Sequence, residues 1–201
     1  MLLPYRFELL RKALHLSALV IPLGMLLLER NQTLLVLGTA AAACTGMDII
    51  RARLPAVNAW VVKVFGLLMR SREKAVTGSR VVFTGSSWML ISAFILALAF
   101  PKHLAACALA LFIVGDGAAA LVGRRYGRLF WRKGDKTVEG SLAFLGSALL
   151  VVFIFPGVSF TAAALACLGA CLVEAMPGPF NDNFAVPLSA ALIMSTLEYF
   201  L

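Results

Sequence analysis

The chain has 201 residues, of which 61% are hydrophobic and only 14% are charged, and its mean hydropathy is +0.93. So few polar side chains cannot cover a soluble globule of this size, and the composition therefore indicates a protein that crosses a membrane several times. The net charge of +8 is not accompanied by a basic soluble face with interleaved aromatic residues, so we do not expect a nucleic-acid partner.

Seven apolar runs are candidates for helices that cross the roughly 30 Å of hydrocarbon in a bilayer. The first follows a basic segment, as a signal peptide would, but no small-residue cleavage site follows it, so we interpret it as a retained span. We predict an all-α, polytopic membrane protein with about seven transmembrane helices, in which residues 1–201 form a single catalytic domain. The predicted spans are residues 14–28, 33–50, 81–100, 103–123, 141–155, 159–175 and 185–201.

Between the second and third spans, residues 54–69 carry apolar side chains at intervals of three and four. This spacing predicts an amphipathic helix. Trp60 and the flanking arginines favour a position in the plane of the membrane interface. We interpret the helix as a connector that rests on the membrane rather than as a gate for substrate.

The positive charges are distributed unevenly about the predicted spans. With seven spans, all of the 18 lysines and arginines except Arg30 and Lys102 lie on the side of the N-terminus. The positive-inside rule then places the N-terminus and the polar loops in the cytoplasm. We expect a protein of a prokaryotic plasma membrane, with a cytoplasmic active site next to anionic head groups.

Four carboxylates converge near the cytoplasmic side. Asp116 lies about 10 Å inside the membrane, where an ionised side chain is costly and usually functional. Asp48 and Glu174 lie near the cytoplasmic ends of their spans, and Asp182 follows in a loop. Hard oxygen ligands of this kind suit Mg²⁺ shared with phosphates. Asp48 has an equally good explanation as the partner of Arg51 in a buried ion pair.

A face of small residues accompanies Asp116. Residues at intervals of three and four share one side of a helix, and here that side is nearly free of side chains. It would admit the close approach of a second helix or of a ligand. The residues on this face are Asp116, Ala119, Ala120, Gly123 and Gly127.

The start of the fifth span has the features of a phosphate site. Glu139, Gly140 and Ser141 begin the predicted helix, whose free N–H groups and dipole favour an anion, and Lys136 and Thr137 directly precede them. The loop before them could neutralise a triphosphate, although topology alone would also make it basic. Its cations are Arg124, Arg125, Arg128, Arg132 and Lys133.

Together these residues resemble the CTP-dependent lipid-alcohol kinases, which include dolichol kinase, phytol kinase and CTP-using diacylglycerol kinase. The resemblance rests on G-D-x-x-A-x-x-x-G-x-x-x-G at residues 115–127 and on K-T-x-E-G-S at residues 136–141, and it extends over nearly the whole chain. The first motif includes Gly115. Further matches are Arg11, Lys12 and His15, Arg72 with Glu73, Thr77 with Gly78, Glu174, Asp182 with Asn183, and Pro187.

The resemblance implies transfer of the γ-phosphoryl group of CTP to the hydroxyl of a membrane lipid alcohol, with Mg²⁺ as cofactor. The alcohol would be a polyprenol or dolichol, a phytol-like isoprenoid or a diacylglycerol, and the preference for CTP comes from the resemblance alone. The implied roles are Asp116 with Glu139 or Asp182 as metal ligands, Lys136 and Arg124 or Arg125 on phosphate, the Ser141 helix start as N–H donor, Asp182 ahead of Glu174 as general base, and Arg11, Lys12 and His15 lining the site.

Two other functions share some of these features. The phosphatidate cytidylyltransferases also carry motifs similar to G-D-x-x-A and K-T-x-E-G, but their C-terminal K-R-x-x-x-x-K-D, H-G-G and D-R-x-D elements are missing here. A transporter would place polar groups at the midplane of several spans, whereas here they lie on one side. The kinase is therefore the leading interpretation, and the cytidylyltransferase is the alternative.

Overall fold

The computed structural model describes residues 5–67, 69, 71–74, 81–131, 136–176, 178 and 180–200, and the structural statements below concern these residues. They form helices, and an isolated bridge between Phe130 and Thr137 is the one extended pairing among them. The helices are α1 (Tyr5–Ser17), α2 (Val20–Leu27), α3 (Arg30–Arg53), α4 (Pro55–Phe65), α5 (Ser71–Lys74), α6 (Gly85–Ala99), α7 (Lys102–Tyr126), α8 (Val138–Ile154), α9 (Phe160–Ala175) and α10 (Asp182–Phe200).

Several of these helices are long and apolar enough to cross a membrane. Three segments meet both criteria, namely Leu9–Leu27, Arg30–Arg53 and Lys102–Tyr126. The prediction of an all-α membrane protein is therefore confirmed, whereas the count of seven spans stays a prediction. The shorter apolar helices are Pro55–Phe65, Gly85–Ala99, Val138–Ile154 and Phe160–Ala175.

The amphipathic segment predicted at residues 54–69 is the 11-residue helix α4. It starts at Pro55 because the residue before a proline is disfavoured in the helical conformation, and Leu54 is accordingly extended. It ends at Phe65, earlier than predicted, and Gly66 is its C-cap. At 1.5 Å per residue α4 is about 16 Å long, too short to cross a bilayer.

Helix α7 forms the centre of the molecule. Every residue from Leu104 to Ile113 is buried, and α7 packs against α1, α2, α6, α8 and α10. Many of its residues are alanine or glycine, which lets neighbouring helices come close on several sides. Asp116 follows the wholly apolar part of α7 and is separated from it only by Gly115, so the central, buried helix of the fold positions this carboxylate.

The small-residue face of α7 packs against α8. A Cβ on Gly115 would lie 2.7 Å from the ring of Phe144, and one on Gly123 would lie 2.7 Å from the hydroxyl of Thr137 and 3.4 Å from the Cα of Gly140. The two distances of 2.7 Å are too short for a real side chain. Of the two uses that the sequence allows for this face, the structure shows the close approach of a second helix.

Candidate active site

Asp116 forms a buried ion pair with α1. The ammonium of Lys12 donates a hydrogen bond to Asp116 Oδ2 at 2.5 Å and another to the Asp116 carbonyl oxygen at 3.2 Å. His15 Nε2 lies 3.3 Å from the same Oδ2. Lys12 and His15 are three residues apart and therefore share one face of α1. The structure thus brings together Asp116 and two of the three N-terminal residues predicted to line the site.

Along α7, no basic residue lies within one turn of Asp116. The partner comes instead from a helix 104 positions away. Lys12 is 4% exposed and Asp116 is 8% exposed. A charge buried at this depth is tolerated only when it is paired and hydrogen-bonded. Lys12 provides both the pairing and the hydrogen bonds for Asp116.

Lys136 joins the two acidic residues predicted near the C-terminus. Its ammonium donates hydrogen bonds to Glu174 Oε1 and, at 3.0 Å, to Asp182 Oδ2. Burial alone would lower the pKa of Lys136, but the two carboxylates outweigh that effect and raise its pKa above the ordinary value. Lys136 therefore stays protonated at neutral pH. Glu174 is buried, whereas Asp182 and Lys136 are partly exposed.

The Lys12 pair and the Lys136 cluster are neighbours. Asp116 lies close enough to Lys136 and to Glu174 to interact with both through their charges. Three carboxylates and two lysines therefore share this region. A nucleotide triphosphate placed beside these carboxylates would be repelled by them unless a cation accompanies it.

The start of α8 is capped by the side chain of Thr137. The Thr137 hydroxyl accepts from the Gly140 N–H at 3.1 Å, and the Thr137 carbonyl accepts from the Ser141 N–H at 3.0 Å. The Ser141 hydroxyl accepts from the indole N–H of Trp131 at 3.0 Å. The Thr137 hydroxyl satisfies a donor that a helix start otherwise leaves open, and the role of Gly140 and Ser141 in binding phosphate stays a prediction.

Gly127 also serves this packing. A Cβ there would lie 2.5 Å from Thr137 Cγ2. Thr137 is buried between the end of α7 and the start of α8. The motif residues Gly123, Gly127, Thr137 and Gly140 therefore fix the distance between the two helices, and this spacing positions Lys136 next to Glu174.

The predicted metal set of Asp116, Glu139 and Asp182 is not assembled. Glu139 accepts hydrogen bonds from the backbone N–H groups of Arg128, at 2.9 Å, and Leu129, at 3.2 Å. Within the described ranges no group of three or more His, Cys, Asp or Glu side chains is placed to hold a metal ion. The chain after α7 turns back over the start of α8, where the Glu139 carboxylate binds these two N–H groups, and its role as a metal ligand stays a prediction.

Glu174 and Asp182 still suit a magnesium ion shared with a nucleotide. Mg²⁺ usually takes one or two protein carboxylates and completes its octahedron with phosphate oxygens and water. The two carboxylates converge on one ammonium. The donor set fits a cation that arrives with phosphates and does not fit a cage made wholly of protein ligands.

The predicted arginines have mixed positions. Arg124 and Arg125 lie in the last turn of α7, where cations complement the helix dipole, and the Arg125 guanidinium lies 5.5 Å from the centre of the Tyr126 ring. Arg11 lines the cavity described below. The side chain of Arg72 and the residues Thr77, Gly78, Arg132 and Lys133 lie outside the described part of the chain.

A second buried polar cluster is centred on Asp48, and the sequence reveals only part of it. The Arg51 guanidinium donates to Asp48 Oδ1 at 2.8 Å, which is the ion pair considered above. The other oxygen, Oδ2, accepts from the Thr84 N–H at 2.8 Å and from the Ser87 hydroxyl at 2.6 Å. Arg51 also donates to the carbonyl oxygens of Glu73 and Val82. Asp48 thus ties the end of α3 to the start of α6.

This cluster continues to α10. Glu73 Oε1 accepts from the Gly85 N–H at 3.0 Å, and the Asn183 amide donates to the Gly85 carbonyl at 2.7 Å. Asn183 directly follows Asp182, so the bond to Gly85 helps to place the carboxylate on Lys136. One feature of the sequence could have indicated this contact, namely the polar run Thr84-Gly85-Ser86-Ser87 at the start of an apolar span.

A cavity of about 660 Å³ lies between α1, α3, α4, α6, α7 and α10. Both polar clusters reach it, since Lys12 and Asp116 line it together with Asp48 and Asn183. Its remaining surface is mostly apolar. The apolar lining consists of Leu14, Ala18, Met47, Trp60, Val61, Phe65, Met69 and Met89.

Comparison with curated proteins gives several similar chains. An uncharacterized protein of Rickettsia prowazekii is 30% identical, and the match covers 98% of each chain. The CTP-dependent diacylglycerol kinase 1 of Eremothecium gossypii is 28% identical over 77% of this chain and 55% of its own length. The dolichol kinase EVAN of Arabidopsis thaliana is 33% identical over 73% of this chain and 26% of its own.

The chain thus spans about half the length of one of these kinases and about a quarter of the other. No family model matches the chain, and no solved structure does. The matched stretches cover most of this chain. Both kinases are named for a lipid alcohol, diacylglycerol or dolichol, and the diacylglycerol kinase is also named for its dependence on CTP. The chain belongs to the CTP-dependent lipid kinase family.

Proposed function

We propose that this protein transfers the γ-phosphoryl group of CTP to the hydroxyl of a membrane lipid alcohol. The observation that carries the proposal is the position of Asp116. It lines a largely apolar cavity on one side and lies near the Lys136 cluster on the other. An enzyme that joins a water-soluble nucleotide to a membrane-dissolved alcohol needs such a meeting point.

The nucleotide phosphates would lie at Lys136, Glu174 and Asp182. The partly exposed ammonium of Lys136 can turn from its carboxylates to a phosphate oxygen, since lysine binds phosphate as a flexible point charge. Glu174 and Asp182 would hold the Mg²⁺ that accompanies the nucleotide. Bound Mg²⁺ supplies neutralisation of the charge on the phosphate oxygens. The arginines at the end of α7 add positive charge toward the solvent.

The acceptor hydroxyl would lie at Asp116 and Lys12. Its oxygen forms a bond to the γ-phosphorus, the bond from that phosphorus to the β–γ bridging oxygen breaks, and CDP leaves with the bonding electrons. The hydroxyl proton passes to Asp116, the carboxylate that faces the cavity. The proposal assigns the base to Asp116 rather than to Asp182, because Asp116 lines the cavity and Asp182 is not among the residues that line it. Little more is required, since phosphoryl transfer depends mainly on positioning and charge stabilisation.

The test is to follow a label on the γ-phosphate of CTP. Purified protein is incubated with Mg²⁺ and a panel of polyprenol, phytol-like alcohol and diacylglycerol in separate reactions. We expect the label to enter an organic-soluble lipid phosphate, with CDP formed in equal amount. Label recovered as pyrophosphate, with cytidine in the lipid, would instead identify a cytidylyltransferase. No turnover of any acceptor by folded protein would refute the proposal.

A further inference from the structure

The cavity reaches from the cytoplasmic ends of the helices to the depth of Asp116. On α1 it is lined from Arg11 to Ala18, and on α3 from Cys44 to Arg51. Each stretch covers seven residue steps, which is about 10 Å along a helix. The cavity is therefore long enough to take a chain segment and not only a hydroxyl group.

The apolar rim of the cavity is open to the side. Leu14, Met47, Trp60 and Phe65 all line it, and each remains between 43% and 57% exposed. Two of these residues lie on α1 and α3, both within segments long and apolar enough to cross a membrane. An opening between such helices faces hydrocarbon in a bilayer, so a membrane-dissolved molecule can enter without passing through water.

Helix α4 covers this opening with apolar side chains. Trp60, Val61 and Phe65 project into the cavity lining. Trp60 and Phe65 are also partly exposed, as expected for a helix whose apolar face meets the membrane interface. The link between α3 and α4 is the single extended residue Leu54, so α4 stays next to the end of α3, beside the opening.

The polar end of the cavity can orient an alcohol. Lys12 and Asp116 supply a donor and an acceptor side by side, and an alcohol hydroxyl needs both. An apolar pocket with a few convergent polar groups is the usual form of a small-molecule site, and volumes of roughly 300 to 1,000 Å³ are typical. At 660 Å³ the cavity holds the segment next to the hydroxyl, while the rest of a long chain would stay in the bilayer.

We propose that this cavity is the acceptor site, that α4 is its cover, and that Trp60 and Phe65 are residues that determine acceptor specificity. The proposal rests on the proposed function for the identity of the acceptor. It also makes α4 a gate for substrate, whereas the sequence alone favours a simple connector.

The first experiment measures binding without turnover. Trp60→p-benzoylphenylalanine places a photocrosslinker in the cavity lining, and Phe153→p-benzoylphenylalanine is the matched control, since Phe153 is 75% exposed on α8 and does not line the cavity. Each variant is irradiated in lipid nanodiscs with a radiolabelled long-chain isoprenoid alcohol and no nucleotide. We expect excess unlabelled alcohol to reduce labelling at position 60 at least fivefold, and a hydrocarbon of equal length without the hydroxyl not to do so. Labelling at position 153 should not respond to either competitor.

Equal labelling at both positions, without competition by the alcohol, would overturn the proposal. Because no phosphate is transferred in this assay, its outcome is separate from that of the proposed function. Specific labelling at position 60 in a protein that transfers no γ-phosphate would leave the cavity assignment standing and remove the kinase assignment. Transfer of γ-phosphate without protected labelling at position 60 would leave the kinase assignment standing and remove the cavity assignment.

The second experiment is kinetic. Trp60→Ala should raise the KM for the alcohol about tenfold and leave the KM for CTP within twofold, because only the acceptor contacts α4. Trp60→Phe, which keeps an aromatic ring, should restore most of the affinity. An unchanged KM for the alcohol in Trp60→Ala, or an equal rise in both KM values, would contradict the assignment.

Discussion

Lys12 and Asp116 form a buried ion pair between α1 and α7, the helix at the centre of the molecule. The pair fixes the start of the chain against the core at the point where the cavity and the Lys136 cluster meet. It also corrects a simple expectation from the sequence. Asp116 is not a lone buried charge, so its removal affects a partner.

Asp116→Asn should reduce kcat by several orders of magnitude and also lower stability. The amide cannot accept the hydroxyl proton, and Lys12 is left buried without its counter-charge, which typically costs about 3 to 5 kcal/mol. Lys12→Met in the same chain should recover most of the free energy of unfolding and none of the activity. The measurements are unfolding in detergent and label transfer from CTP. Additive losses of stability in the double variant would show that the two residues do not interact.

The sequence predicts which residues form this site better than it predicts how they are arranged. Composition and apolar runs indicate the helical membrane fold, and the motifs identify Asp116, Lys136, Glu174 and Asp182, which the structure gathers in one region. What could not be predicted are contacts between distant helices. Lys12 reaches Asp116 across 104 positions, and no local spacing encodes such a contact.

Glu139, Gly140 and Ser141 are predicted to bind metal or phosphate, and the structure adds contacts that the sequence does not indicate. Glu139 accepts from a backbone N–H after α7, the Gly140 N–H donates to Thr137, and the Ser141 hydroxyl accepts from Trp131. A helix start looks the same in sequence whether a ligand or a nearby loop satisfies its donors. Only the path of the loop distinguishes the two cases.

The glycine face of α7 leads to a prediction about packing. Gly123→Ala should destabilise the protein by about 1 to 3 kcal/mol, the usual range for overpacking, because the new Cβ would lie 2.7 Å from the Thr137 hydroxyl. Gly146→Ala is the matched control on α8, since nothing lies within 4 Å of a Cβ there. This control should be neutral or slightly stabilising, because alanine favours helix by up to about 1 kcal/mol over glycine. Equal thermal stability of the two variants in detergent would mean that α7 and α8 do not pack this closely.

The roles of the acidic residues lead to a prediction about magnesium. Asp182→Asn should raise the Mg²⁺ concentration for half-maximal activity at least tenfold, because it removes one of the two carboxylates that converge on Lys136. Glu139→Gln should leave that concentration within twofold, since the Glu139 carboxylate binds backbone N–H groups of the loop. Activity is measured over a range of Mg²⁺ at fixed CTP. The opposite ranking of the two variants would restore Glu139 as a metal ligand.

The orientation of the chain in the membrane is the last prediction. Helix α7 has 25 residues and is about 37 Å long, which is long enough for its two ends to lie on opposite sides of a bilayer. Lys102 begins it and Arg128 follows its end, and both side chains are exposed. If the nucleotide comes from the cytoplasm, Lys102→Cys should react with an impermeant thiol reagent added to intact cells, whereas Arg128→Cys should react only after the membrane is permeabilised. The unsubstituted protein, with its four native cysteines, gives the background. A reversed pattern would place Lys136, Glu174 and Asp182 on the outside, away from cytosolic CTP, and the proposed reaction could not then draw on that pool.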